Sequence, residues 1–163
     1  CLSRGLGDVY KRQVLVRATA KASGPARLLL EEIAAGGHKL ILSPFLLEET
    51  ERVLNYPRMQ GLYRLSPAEV QEHIDCLQAA AEIVEPVATR PIMKDPHDDP
   101  VLFTAVAGGA DVLCTLDRDF YDPTVLDFCG GLDIAVINDA DLLQLLRWSG
   151  SRPGADFDPQ DQF

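Results

Sequence analysis

The sequence predicts an α/β fold, a central, mainly parallel sheet in a three-layer α/β/α arrangement, and three observations carry that prediction. Short apolar runs too uniform for a half-solvated strand, such as KLILS (39–43) and DVLCTL (111–116), alternate with stretches of helical period. The helical stretches carry start and stop signals: Ser-Pro at 43–44 and 66–67, paired glycines at 36–37 and 108–109. With 163 residues, 47% of them hydrophobic and 25% charged, the chain is long enough for one domain around one sizeable core.

Each element follows in order. QVLVRAT (13–19) is a β-branched run expected to be a strand, and GPARLLLEEIAAGG (24–37) an amphipathic helix with Pro25 near its start. After the strand at 39–43, SPFLLEETERVLNYP (43–57) opens a helix at Ser43 and closes it before Pro57. SPAEVQEHIDCLQAAAEIV (66–84) repeats the Ser-Pro start, with Val70, Ile74, Leu77 and Ala81 on one stripe. DDPVLFTAVAGGA (98–110) reads as a helix stopped by glycine, followed by a strand at 111–116 and a second, LDIAVI, at 132–137. NDADLLQLLRW (138–148) is the last helix, capped by Asn138 or Asp139, and the tail 149–163 has too little apolar content to fold and is expected to be disordered. The sequence contains no internal repeat.

Composition narrows the function classes. Residues 1–40 carry seven Lys/Arg against three Asp/Glu, and residues 41–163 carry eight against twenty-two, so the net charge of −10 joins a +4 segment to a −14 body. An acidic body argues against a general electrostatic grip on nucleic acid, unless metal ions bring the positive charge; a basic protein partner also suits it. No apolar run approaches the ~20 residues of a membrane span, and the N-terminus lacks a secretory apolar region, so a cytoplasmic location is expected. Cys1, Cys76, Cys114 and Cys129 have neither C-x-x-C nor zinc spacing, and Cys76 and Cys114 sit among apolar neighbours as small hydrophobes.

Chemistry concentrates in KDPHDDPVLFTAVAGGADVLCTLDRDF (94–120), where two acidic turns flank two apolar runs. Asp95, Asp98 and Asp99 precede a helix, and Asp117 and Asp119 follow a strand. Either they cap those elements, or they meet to hold a cation. Ser43 follows another strand end, and Glu49 lies about two turns along the helix it opens, on a face that otherwise reads as solvated. In an open parallel sheet the site lies at the carboxyl ends of the strands, where these residues could converge. His38, His73 and His97 share no helical spacing, so a histidine metal site or a Ser-His-Asp triad has little support. Walker and dinucleotide glycine motifs are absent.

Ser43-x-x-x-x-x-Glu49 followed by DPHDDPVLFTAVAGGADVLCTLDRDF resembles the PIN-domain nucleases, specifically the VapC-like toxins of bacterial toxin–antitoxin pairs. The similarity runs from about Val14 to Trp148, taken as a PIN-like domain over 14–148, and is most specific over 94–120. It implies a Mg2+- or Mn2+-dependent ribonuclease acting on RNA, inhibited by a basic antitoxin, with room for a homodimer and no membrane association. It implies that Glu49, Asp98 and Asp117 are catalytic and metal-ligating, with Asp119, Asp95, Asp99, Thr115 and Ser43 in support. Phosphodiester cleavage needs an activated water and charge relief at phosphate, which a carboxylate-held divalent ion supplies. In that scheme Asp98 and Asp117 ligate the ion and Glu49 ligates through water or orients the attacking water. Crowded carboxylates without metal predict at least one raised pKa.

One departure bears on activity. Family members begin v-l-D-T-N-v-l-v, and aligning Val14-Leu15-Val16 with the final v-l-v puts Gln13 at the Asn, Arg12 at the Thr and Lys11 at the first catalytic Asp. A lysine there places a cation where the metal should bind, and predicts weak or absent activity. The preceding CLSRGLGDVYKRQ lacks strand alternation, begins without Met and looks like translated adapter sequence, so residues 1–13 are read as non-native, with Asp8 out of register to substitute. Two other readings stay open: a catalytically dead PIN module that binds RNA or protein, and a haloacid-dehalogenase-type phosphatase suggested by Asp117-x-Asp119. The phosphatase would need its D-x-D at the first strand.

Overall fold

Five strands of three or four residues form one all-parallel sheet flanked by helices: β1 (Gly7–Tyr10), β2 (Lys39–Leu42), β3 (Ala81–Ile83), β4 (Val112–Cys114) and β5 (Ala135–Ile137). The order across the sheet is β3-β2-β1-β4-β5. Around it lie α1 (Arg12–Arg17), α2 (Pro25–Ala34), α3 (Pro44–Leu54), α4 (Pro57–Tyr63), α5 (Pro67–Ala80), α6 (Asp99–Ala107), α7 (Pro123–Gly130) and α8 (Asp139–Gly150). The structure, a computed structural model, describes residues 7–19, 23–35 and 38–150. The expected disorder of 149–163 falls outside it beyond Gly150, where α8 ends.

The three-layer parallel α/β/α architecture is the expected one, and its centre is where the sequence misleads. CLSRGLGDVYKRQ shows no alternation, yet Gly7–Tyr10 is the middle strand, paired with Lys39–Ile41 on one side and Val112–Cys114 on the other. Alternation is a signature of a strand with one wet face; β1 has none, since Gly7, Val9 and Tyr10 are all buried. QVLVRAT, expected as a strand, is instead the short helix α1. Val14, Leu15 and Val16 are buried consecutively, so packing beneath the neighbouring helices overrides their β-propensity. The backbone of Asp8 pairs with Leu40 and Val112, while the placement of its side chain lies outside the described residues.

Other boundaries shift for local reasons. The helix expected over 66–84 ends at Ala80, where Ala81 turns extended and Ala81–Ile83 joins the sheet edge beside β2. Its start is as read: Ser66 accepts from the Glu69 N–H while the Glu69 carboxylate accepts from the Ser66 N–H, a reciprocal capping box. Helices α4 and α7 were not expected, both opening at prolines, and Cys76, expected among apolar neighbours, is exposed. The glycine stop after α6 has two separate causes. Gly109 adopts φ +59°, and a Cβ on Gly108 would stand 2.5 Å from Ile41 Cγ2.

The main core gathers residues from β1, β2, β4, α1, α2, α3, α5, α6, α7 and α8, including Val9, Leu15, Leu29, Ile41, Leu102, Leu113 and Leu142. A smaller core of Val16, Leu54, Leu65 and Val70 sits beneath α4, with Val53, Met59 and Tyr63 packed against it. His73 on α5 is buried, its Nε2 3.1 Å from the Leu15 carbonyl on α1. Burial lowers its pKa below the ordinary histidine value, with the hydrogen bond to Leu15 opposing. The unfolded chain therefore binds this proton more readily, so its contribution to stability is complete above about pH 6.5 and lost as pH falls below it. Chemical denaturation should show stability declining between about pH 7 and pH 5. His73→Gln should flatten that decline, and an unchanged slope would remove His73 as its source.

Candidate metal centre

The strand order reverses between β1 and β4, and the cleft at the carboxyl ends of these strands is where an open parallel sheet places its chemistry. Lys11 leaves β1 there, its N–H donating to the Cys114 carbonyl at the end of β4. Three residues beyond Cys114 comes Asp117, whose N–H donates to Thr115 Oγ1 at 3.0 Å. Its Oδ1 caps the following 3-10 turn by accepting from the Asp119 N–H. The capping and clustering readings of Asp117 are both realised, one by each carboxylate oxygen.

The acidic turn at 95–99 separates into three roles. Asp95 accepts from the His97 N–H and caps a 3-10 turn. Asp99 is buried and turns away from the cleft, its Oδ1 accepting the N–H groups of Ile92 (3.1 Å) and Met93 (2.9 Å) to fasten the preceding loop onto α6. Asp98 occupies the N-cap position of α6 without capping it, and its side chain enters the cleft. Carboxylate oxygens of Asp98, Asp117 and Asp119 come within 4.8 Å of one another, with Asp119 exposed. Asp95 lines the same cleft at its rim, and Asp99 does not join it.

A cation already lies among these carboxylates. Lys11 Nζ is 2.9 Å from Asp98 Oδ1 and in direct contact with Asp117 Oδ2, and it stands 4.6 Å from the centroid of the buried Phe120 ring. Burial works to raise the Asp117 pKa, but the hydrogen bonds from Lys11 and the Asp119 N–H, with the charges of Lys11 and Arg12, outweigh it and hold the group below the ordinary range. The raised pKa expected of a metal-free cluster is therefore not found at Asp117. An ammonium between two carboxylates reverses the sign of their environment.

Glu49 sits on the opposite wall, positioned by α3. Ser43 Oγ caps that helix by accepting from the Leu46 N–H, and Thr104 Oγ1 on α6 lies 2.9 Å from the same oxygen. This buried hydroxyl pair ties the start of α3 to the helix that follows Asp98. Glu49 is held by two arginines, Arg12 at 2.5 Å and Arg52 at 2.8 Å. The Arg52 hydrogen bonds, helped by Arg12 and opposed by burial, lower its pKa. Sequence reading placed Arg12 beside the metal position by alignment but not its contact with Glu49, and it missed Arg52, Phe120 and Thr104 as members of this neighbourhood. Of these three, Arg52 left a signal, its i,i+3 spacing from Glu49 on one helix face.

The cleft lined by Lys11, Arg12, Glu49, Arg52, Asp95 and Asp98 encloses about 360 Å3. Oxygen donors grouped in this way suit a hard divalent cation, but the residues present do not fit one as they stand, since an ammonium holds the gap between Asp98 and Asp117.

A carboxylate cluster at the switch point of a parallel α/β sheet is the framework of a nuclease-type site. The chain matches the PIN domain family over residues 12–119 and belongs to it. PIN domains are generally nucleases that act on nucleic acids with divalent metals, which sets the class of function here as nuclease-type. No curated protein matches the chain. Among the described residues no helix is long and apolar enough to cross a membrane.

Proposed function

We propose that this is a PIN-domain endoribonuclease of the VapC-like toxin type whose metal site is closed in this chain by Lys11. The observation that carries the reading is the bridge from Lys11 Nζ to Asp98 and Asp117. Lys11 leaves the end of β1, the position that the v-l-D-T-N pattern gives to its first Asp. On this reading Glu49, Asp98 and Asp117 are the catalytic carboxylates, with Asp119, Thr115 and Ser43 in support. Asp95 stays at the rim, and Asp99 serves the loop instead. Mg2+ or Mn2+ in such a site supplies an activated water and charge relief at phosphate. The residues at 11–13, which belong to the segment read as non-native, are then what silences the chain. Its acidic body suits a basic antitoxin, and cytoplasmic RNA would be the substrate.

Exchanging Lys11 for a carboxylate makes the site more negative by two charges and clears the gap between Asp98 and Asp117 for a cation. In calorimetric titration the chain carrying Lys11→Asp, Arg12→Thr and Gln13→Asn should bind Mn2+ on the order of tenfold or more tighter than the original. Equal affinities would sink the assignment of Lys11 to the metal position. Induction of the repaired chain in a bacterial host should arrest growth, and adding Asp98→Asn should relieve the arrest. RNA cleavage without growth arrest would leave the nuclease and remove the toxin.

A second reading, a PIN module that binds RNA or protein without cutting, is favoured for the unrepaired chain by the same lysine contact. The phosphatase reading loses its footing, since Asp117-x-Asp119 follows β4 and the first strand is followed by Lys11.

A further inference from the structure

Glu69, Glu72, His73 and Cys76 follow one another on α5 at helical neighbour spacing, Cys76 lying three residues beyond His73 and four beyond Glu72. Together with Thr19 and Arg27 they line a cavity of about 230 Å3 that shares no residue with the acidic cleft. Two of its groups are fixed by burial. Thr19 is fully buried and its Oγ1 has no hydrogen-bond partner. His73 is buried with Nε2 3.1 Å from the Leu15 carbonyl. A carbonyl only accepts, so Nε2 carries the ring hydrogen and Nδ1 presents a lone pair. A ring N–H given to a backbone carbonyl is also the outer support that metal-ligating histidines use, because it fixes both the tautomer and the ring orientation. An ordinary core histidine accounts for the Leu15 contact but leaves the polar cavity and the bare Thr19 hydroxyl unexplained.

We propose that this cavity is a second metal site, taking a zinc-class divalent ion on His73 Nδ1, Cys76 Sγ and a Glu72 carboxylate oxygen, with a water bonded to Thr19 in the fourth position. Imidazole, thiolate and carboxylate together select a borderline-soft ion over Mg2+, and three protein ligands with one water make a common tetrahedral set. Cys76 and Glu72 are exposed, so rotation of their side chains closes the set around the fixed histidine, and the thiol proton leaves to solvent as the metal–sulfur bond forms. Glu69 accepts from the Ser66 N–H and adds negative charge beside the ion. Arg27 opposes a cation, but its guanidinium is engaged by Glu31 (3.2 Å) and the Ala18 carbonyl (3.5 Å), and Glu69, Glu72 and the thiolate outnumber it. Because His73 reaches Leu15, the bound ion clamps α5 to α1, the helix that opens with Arg12 at the acidic cleft. The site is independent of the nuclease reading.

Zn2+ alone is the probe for affinity, and Co2+ reports the ligands. The full chain, stripped with chelator, should take up one Zn2+ in calorimetric titration and melt several degrees higher with it, because the ion binds only the folded state. Co2+ in its place should show the charge-transfer absorption of a cobalt–thiolate bond, and Mn2+, the weakest binder of the series, should not displace it at equal concentration. Cys76→Ser, an exposed change that spares the core, should erase that absorption and weaken Zn2+ binding by roughly 10–100-fold or more. Glu72→Gln should weaken it about tenfold or more, and Cys1→Ser should change neither readout. His73→Gln should also abolish tight binding; if that variant fails to fold, Cys76→Ser and Glu72→Gln still decide. Absence of Zn2+ uptake, or a cobalt–thiolate absorption that survives Cys76→Ser, overturns the site. Zn2+ uptake that is lost with Asp98→Asn and kept with Cys76→Ser places the ion in the carboxylate cleft and overturns the inference while leaving the nuclease reading standing.

Discussion

The chain carrying Lys11→Asp, Arg12→Thr and Gln13→Asn should cleave RNA in the presence of Mn2+ or Mg2+, where the original chain cleaves slowly or not at all. Three changes act together at one place. Lys11→Asp removes the ammonium that bridges Asp98 and Asp117 and supplies a further oxygen donor at the end of β1. Arg12→Thr releases Glu49 from one of its two arginines and leaves it paired with Arg52 alone. Metal-ion catalysis contributes several kcal/mol, and about 1.4 kcal/mol is tenfold in rate, so a gain on the order of 10³-fold or more is expected. Chelator should erase it. Asp98→Asn or Asp117→Asn in the repaired chain should abolish cleavage while the melting temperature stays nearly unchanged. The measurement is the initial rate on a mixed RNA substrate at equal folded concentration. A repaired chain that binds Mn2+ yet cuts none of several RNAs would favour the binding module; an original chain that cuts, indifferent to Asp98→Asn, would show the site to be wrong.

The second large effect is on stability and needs no catalysis. Lys11 is 5% exposed and balances two partly buried carboxylates, so Lys11→Met leaves Asp98 and Asp117 facing each other without a counter-charge. Removing one partner of a buried ion pair costs about 3–5 kcal/mol, and the partial solvation of the two aspartates brings the expected loss to roughly 2–4 kcal/mol. Part of that loss should return when Mn2+ is added, because a ligand that binds only the folded state stabilises it by mass action. The original chain should show no such response. Denaturant unfolding with and without Mn2+ reads both effects, and a Lys11→Met protein as stable as the original would mean that the bridge contributes little. Acid provides a further readout. The Asp117 pKa is lowered in the fold, so its stabilising contribution is present above about pH 3.9 and disappears as pH falls through the folded value. Lys11→Met should remove that acid limb.

The sequence by itself determined the fold class and the shortlist of carboxylates. Helix punctuation by Ser43-Pro44, Ser66-Pro67 and Gly108-Gly109, between uniformly apolar strands, depends on local backbone chemistry that each segment carries wherever it folds. The same locality explains the failures. Gly7–Tyr10 has no periodicity to detect because Gly7, Val9 and Tyr10 are buried alike in the middle strand, and α1 is helical because packing outweighs the β-preference of its valines. Asp95, Asp98 and Asp99 are alike in sequence, each a plausible cap before a proline-started helix, and nothing nearby distinguishes them. Tertiary structure separated them: Asp95 to a turn, Asp99 to the backbone of Ile92 and Met93, Asp98 to the cleft. It also joined Lys11 to Asp117 across 106 positions of chain and Arg12 to Glu49 across 37. Alignment to the v-l-D-T-N pattern could place Lys11 near a metal position, but whether its ammonium reaches the carboxylates depends on side chains from separate strands meeting at one edge of the sheet. Coulomb interaction acts through space, and only the folded chain sets that distance.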